Sequence, residues 1–155
     1  MKQRGIAMQH RTLLAVMLML LAATMLASVV AAAEFVSVSK DGVNLRSGPT
    51  TDSAVLFELP AGYPLEVLER KGKWLNVRDY EKDEGWIYAP LTSSTPYVIV
   101  TVNKGNIRSG PGTDYDQVGK VVRDVILQKV EQQGDWLKIY HPQLTGWIHK
   151  NLVWP

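Results

Sequence analysis

The sequence predicts an all-β protein, with an N-terminal export segment followed by two tandem copies of one small β-barrel unit. Three observations carry this reading. The first 33 residues combine a basic start, an apolar run and a small-residue end. Beyond them the chain repeats itself at a spacing of 62 residues. Within each repeat, short runs rich in β-branched and aromatic residues alternate with Gly/Pro turns, and no stretch keeps a helical period.

The export segment comes first. Lys2, Arg4 and Arg11 precede an apolar run from Leu13 to Ala33 that only Thr24 and Ser28 interrupt, and Ala31-Ala32-Ala33 ends it before Glu34. This is the layout of a secretory signal peptide, residues 1–33, cut after Ala33; Met8 offers a second start that still keeps a charge ahead of the run. The run also approaches the ~20 residues that span a bilayer. An uncleaved anchor is therefore the competing reading, and a membrane is a partner only in that case. No cysteine follows the run, so an acylated anchor is excluded. Periplasmic or secreted is the expected location. Removing the leader takes away three basic residues and leaves 14 Lys+Arg against 15 Asp+Glu. The formal charge of +2 thus belongs to the leader, and a basic nucleic-acid footprint is not supported. An oxidising compartment permits disulfides, but with no cysteine the fold depends on packing.

The repeat defines the domains. Asn44-Leu45-Arg46-Ser47-Gly48-Pro49 returns as Asn106-Ile107-Arg108-Ser109-Gly110-Pro111, and Gly72-x-Trp74-Leu75 as Gly134-x-Trp136-Leu137, both 62 residues on. Gly85-Trp86-Ile87 returns as Gly146-Trp147-Ile148 at 61, so the second copy has lost one loop residue. Thr92-Ser93-Ser94-Thr95-Pro96 reads as a polar linker. The domains are then 34–91 and 97–155, joined by 92–96. A unit of this size buries only ~60% of its unfolded surface and is marginal alone.

Each copy divides into strands. In the first, Phe35–Ser39 alternates around Val36 and Val38, and Lys40-Asp41-Gly42 turns the chain. Val43 and Leu45 then point one way, Asn44 and Arg46 the other. Ser47–Ser53 is a Gly/Pro loop, Ala54–Leu59 an apolar run, and Pro60-Ala61-Gly62 a second turn. Leu65–Glu69, Trp74–Arg78 and Gly85–Tyr88 complete the set. Short strands with frequent turns point to a small barrel or sandwich.

The ordered set Asn-Leu-Arg-Ser-Gly-Pro, Gly-x-Trp and Gly-Trp-Ile resembles the bacterial SH3 (SH3b, SH3 type 3) family, twice over and across nearly all of 34–155. The resemblance implies an SH3-like β-barrel in each copy. It also implies an exported protein, since members often stand beside cell-wall hydrolases and several bind peptidoglycan or its peptides. Where members often carry a Tyr a few residues after the second Gly-Trp pair, this chain has Leu91 and Leu152.

Candidate ligand residues lie on the strand that follows each Gly-x-Trp. Leu75 and Val77 share one face, and Trp74, Asn76 and Arg78 the other; in the second copy Leu137 and Ile139 oppose Trp136, Lys138 and Tyr140. With Tyr88 these polar and aromatic faces form the candidate binding sites, since an exposed aromatic beside polar groups suits sugar or peptide recognition. The competing reading has Trp74 and Trp136 cover a barrel end or pack between the domains. Arg46 and Arg108 suit a ligand carboxylate in bidentate fashion or, alternatively, a loop clamp, with Asp52 and Asp114 as partners. Asn44 and Asn106 read as turn-bonding residues. Gly48-Pro49 and Gly110-Pro111 form loops.

Catalysis finds little to build on. There is no Cys nucleophile, His10 belongs to the leader, and His141 and His149 lack metal spacing. The acidic loop Asp79–Glu84 lacks the glycine of an EF-hand and reads as solvated. No enzyme activity, cofactor or metal is expected. The expected partner is peptidoglycan or a cell-envelope protein. The first copy carries 7 Lys/Arg against 10 Asp/Glu over 34–95, and the second 7 against 5 over 96–155, so the copies differ in charge.

Overall fold

Residues 32–155 are described by the computed structural model, and Ala33–Pro155 form one unit. Residues 1–31 of the leader read over 1–33 lie outside the described residues. Those residues contain strands, turns and two short 3-10 segments. None of them forms a helix long and apolar enough to cross a membrane.

The first lobe holds β1 (Glu34–Val38), β2 (Val43–Arg46), β3 (Val55–Leu59), β4 (Pro64–Lys71), β5 (Trp74–Arg78), β6 (Glu84–Tyr88), a 3-10 turn over Ala89–Leu91, and β7 (Thr92–Ser93). The second holds β8 (Tyr97–Val100), β9 (Gly105–Arg108), β10 (Gln117–Val121), β11 (Ile126–Gln133), β12 (Trp136–His141), β13 (Leu144–His149), a 3-10 turn over Lys150–Leu152, and β14 (Val153–Trp154). Each lobe is one seven-stranded sheet. Their orders are β3-β2-β6-β5-β4-β1-β7 and β10-β9-β13-β12-β11-β8-β14, the same order twice. Every strand pair is antiparallel.

The signature residues have identifiable jobs. Gly72 (φ +59°) and Gly134 (φ +57°) open two-residue hairpin turns, so that Lys71 pairs with Trp74 and Gln133 with Trp136. A positive φ suits glycine in such turns. The glycine of each Gly-Trp pair lies where β6 crosses β2 and where β13 crosses β9. A Cβ on Gly85 would stand 2.7 Å from Leu45 Cγ, and one on Gly146 2.5 Å from Ile107 Cγ2.

Alternation fills both interiors. Leu75 and Val77 with Val38, Val43, Leu45, Leu59, Leu65 and Ile87 form the first core. Leu137 and Ile139 with Val98, Val100, Ile107, Val121, Leu127, Ile148 and Val153 form the second. Burying side chains of this kind stabilises by about 1.5–3 kcal/mol each before chain entropy is counted.

Two segments differ from the sequence reading. Thr92 and Ser93, read as linker, pair with Val38 and Ser37 and close the first sheet, as Val153 and Trp154 close the second. Only long-range pairing makes so short and polar a segment a strand. In the apolar run Ala54–Leu59, only Leu59 is buried, while Val55, Leu56 and Phe57 stay 44–49% exposed. β3 is an edge strand, and its register shifts between the Leu45 and Arg46 pairings, which leaves Leu56 unpaired.

The lobes touch through side chains of both. Phe35 meets the Trp154 ring edge-on at 5.5 Å, and the Tyr80 hydroxyl donates to Asp124.

Candidate functional site

The first lobe carries a groove of about 230 Å³ lined by Lys40, Gly42, Val43, Asn44, Arg46, Thr51, Trp74, Tyr88 and Leu91. β5 and β6 place its aromatic pair. Trp74 and Tyr88 are directly opposite across the two strands, with ring centroids 5.4 Å apart and planes at 59°. Such a cross-strand aromatic pair contributes roughly 0.2–1 kcal/mol and holds both rings in place. β2 supplies Asn44 and Arg46 to the same groove. Lys40 and Arg46 are its charged residues, and no acid lines it. A lobe with a surplus of acids overall thus presents a local cationic groove with an aromatic wall.

Arg46 is partly committed. Its Nη1 donates to the Ser53 carbonyl at 2.9 Å, and Arg108 Nη1 donates to the Tyr115 carbonyl at 2.8 Å. Both arginines clamp the Gly-Pro loop that follows their strand, by its backbone rather than through Asp52 or Asp114. Asn44 and Asn106 sit within β2 and β9, opposite Glu58 and Lys120, and not in turns. The Gly48-Pro49 and Gly110-Pro111 loops are tight: a Cβ on Gly110 would stand 2.3 Å from the Tyr115 ring.

The second lobe repeats the aromatic wall with one exchange. His149 takes the place of Tyr88 opposite Trp136, edge-on at 5.2 Å. Its Nδ1 accepts the Asn151 N–H at 3.3 Å, which orients the ring. The sequence reading weighed His149 only for catalysis and metal binding. The 61-residue offset of the Gly-Trp pair was the signal that places it on Tyr88.

The remaining candidates lie apart from the groove. Asn76 and Arg78 follow Trp74 on its face of β5, roughly 7 and 13 Å along the strand. Arg78 Nη2 is held by Glu66 at 2.9 Å, with Glu84 at 4.0 Å from Nη1. In the second lobe Lys138 Nζ stands 5.9 Å from the Trp147 ring centre and 3.7 Å from Glu131. Tyr140 is 49% exposed on the same strand. The structure therefore brings Trp74 and Tyr88 together with Asn44 and Arg46, while Asn76 and Arg78 belong to a separate polar ladder.

The acidic loop is organised from inside. Asp79 is buried, and its Oδ1 accepts the N–H groups of Glu81 and Asp83 at 2.9 and 3.0 Å. Its Oδ2 accepts the Tyr63 hydroxyl at 3.1 Å. Burial first, then the Asp79 charge and hydrogen bond, push the Tyr63 phenol well above the usual tyrosine range. The solvated-loop reading thus holds for the exposed residues from Glu81 to Glu84 and not for Asp79. Among the described residues no group of three or more His, Asp or Glu is placed to hold a metal ion.

Two family models match this chain in tandem, both described as bacterial SH3 domain, over residues 39–94 and 103–153. The chain belongs to the bacterial SH3 domain family. One match falls in each sheet, beginning after β1 in the first and after β8 in the second. Among curated proteins it is similar to the "Putative N-acetylmuramoyl-L-alanine amidase YrvJ" of Bacillus subtilis (strain 168), at 27% identity over 137 residues. That match covers 81% of this chain and 26% of the relative, so the chain spans about a quarter of that protein's length. Among solved structures, NlpC2 and NlpC1 from Trichomonas vaginalis are 15% identical over 80% and 83% of this chain and 48% of theirs, each with a TM-score of 0.35. An NlpC/P60 family protein from Bacillus cereus ATCC 10987 is 13% identical over 78% of this chain and 56% of its own, with a TM-score of 0.36. Likeness at that level carries no argument about function.

Proposed function

We propose that this is an exported, non-catalytic binding protein in which each SH3 lobe, folded as an SH3-like barrel, recognises peptidoglycan through its Trp-bearing groove. The observation that carries the reading is the first-lobe groove: an aromatic wall of Trp74 and Tyr88 beside Lys40 and Arg46, with no acid in the lining. Such a groove suits a flat sugar or short peptide bearing a carboxylate, the chemistry of a wall stem peptide. The bacterial SH3 family and the likeness to a protein named as a muramoyl-alanine amidase support the wall as the target. The signal-peptide pattern supports delivery to the envelope. Two linked sites raise avidity by ~10²–10⁴ over one when both engage at once, so each groove works at weak affinity.

The test is co-sedimentation of the mature protein with purified sacculi. Wild type pellets, and Trp74→Ala combined with Trp136→Ala leaves the folded protein in the supernatant. Pelleting of the folded double variant at the wild-type level overturns the assignment of the grooves.

A second reading, an adaptor or inhibitor of a cell-wall enzyme, is favoured by a different observation. Val55, Leu56 and Phe57 are exposed together on the edge strand β3. An unpaired apolar edge is a template for strand addition by another chain. Failure of wild type to pellet, with capture of an envelope enzyme by β3, is the outcome that supports this reading.

A further inference from the structure

The two lobes share one architecture, so a cavity present in one and filled in the other identifies what has been removed. In the first lobe Tyr63 packs its ring against the core and donates its hydroxyl to Asp79 at 3.1 Å. At the repeat offset, Tyr63 becomes Val125 and Asp79 becomes His141. The loop that follows is the one that lost a residue in the second copy. The second lobe has a cavity of about 330 Å³ at this place, lined among others by Lys120, Val122, Val125, Leu127, His141 and Leu144. Its wall is largely aliphatic, Val122 being 54% exposed at the rim, with the nitrogen-bearing side chains of Lys120, His141 and Gln143.

The polar end of the cavity is also reversed. Asp79 accepts a hydrogen bond from the Tyr63 hydroxyl, whereas His141 Nδ1 accepts the Gln143 N–H at 3.2 Å. The neutral ring therefore carries its proton on Nε2 and offers a donor. Lys120 adds a second donor with a positive charge. The site thus calls for an aromatic ring that ends in an acceptor oxygen.

We propose that this second-lobe cavity is a docking site for a tyrosine side chain presented by a partner protein, which enters where Tyr63 sits in the first lobe. The ring covers Val122, Val125 and Leu144, and the phenol oxygen accepts from His141 Nε2–H. The first lobe is closed to such a partner because its own tyrosine occupies the place. This assignment is independent of the wall-binding grooves, which use Trp74 and Trp136.

The test is a titration of the mature protein, followed by NMR, with N-acetyltyrosinamide as probe. Saturating shifts at Val122, Val125, Leu144 and His141 are expected, with a Kd on the order of a few millimolar, the range a single ring allows. N-acetylphenylalaninamide should bind more weakly, and Val125→Tyr should abolish binding by filling the site. Val122→Asp, at the exposed rim, serves the same purpose if Val125→Tyr does not fold, and should weaken binding at least about tenfold. Equal binding of both amides removes the hydrogen bond and overturns the proposal. So does binding unchanged in the folded variants, or p-cresol binding without N-acetyltyrosinamide binding, which describes a pocket closed to a peptide.

Discussion

Tyr63→Phe removes one hydroxyl and nothing else, which makes it the sharpest probe of how the first lobe is held. The lost bond is 3.1 Å long and ends on a buried carboxylate. A hydrogen bond to a charged group is worth ~1.5–3 kcal/mol, and the half-buried position of Tyr63 discounts this to about 1–2 kcal/mol. For a domain of this size, that corresponds to a fall in Tm of roughly 4–16 °C. Urea and thermal unfolding measure it directly. The pH dependence gives an independent check. The folded state holds the Tyr63 proton beyond the ordinary tyrosine range, while the unfolded chain releases it near pH ~10. Above that pH the folded state binds more protons than the unfolded one, so the contribution is complete below pH ~10 and is lost as pH rises toward the folded value. Tyr80, pushed up to about 12 mainly by its hydrogen bond to Asp124, acts in the same direction. The variant should therefore be less stable at neutral pH and show a flatter decline above pH ~10. A stability change below about 0.3 kcal/mol, with the alkaline decline unaltered, refutes the role given to this bond.

Three further outcomes are expected. Gly146→Ala places a Cβ 2.5 Å from Ile107 Cγ2 and 2.7 Å from the Arg108 carbonyl, so overpacking should cost about 1–3 kcal/mol, read from urea midpoints at constant slope. In sacculus binding, Trp74→Ala alone should reduce pelleting more than Trp136→Ala, because Tyr88 and Lys40 accompany Trp74 while His149 replaces the tyrosine in the second lobe. Lys150→Ala should raise the Asp135 titration midpoint toward the ordinary carboxylate value of ~3.9 in an NMR titration, because the Lys150 ammonium 2.8 Å away holds that carboxyl low.

Much of the fold was legible because its signals are local. Alternation along Trp74–Arg78 and Trp136–Tyr140 predicted which side chains enter the cores, and Leu75, Val77, Leu137 and Ile139 are buried as that period requires. Turn glycines marked the hairpins, and the repeat marked the lobes. The lining of the first-lobe groove was only half legible. Trp74 and Tyr88 stood among the candidates, but Asn76 and Arg78 were grouped with them by shared face. Distance along a strand separates residues that alternation alone places together. Arg46 and Asn44 join the groove from β2, a strand 28 or more residues earlier in the chain, and no local pattern announces that meeting.

The sequence by itself determined the family, the all-β class, the duplication and the division of core from surface, since each follows from short-range spacing of residue types. Only the tertiary structure decided what crosses the sheets. It made strands of Thr92-Ser93, turned Val55, Leu56 and Phe57 outward on an edge, and gave Arg46 and Arg108 backbone carbonyls to clamp. It also set Val125 and His141 around a cavity where the first lobe keeps Tyr63 and Asp79 in contact. These outcomes depend on long-range pairing and packing, in which a side chain's role is fixed by neighbours distant in the chain.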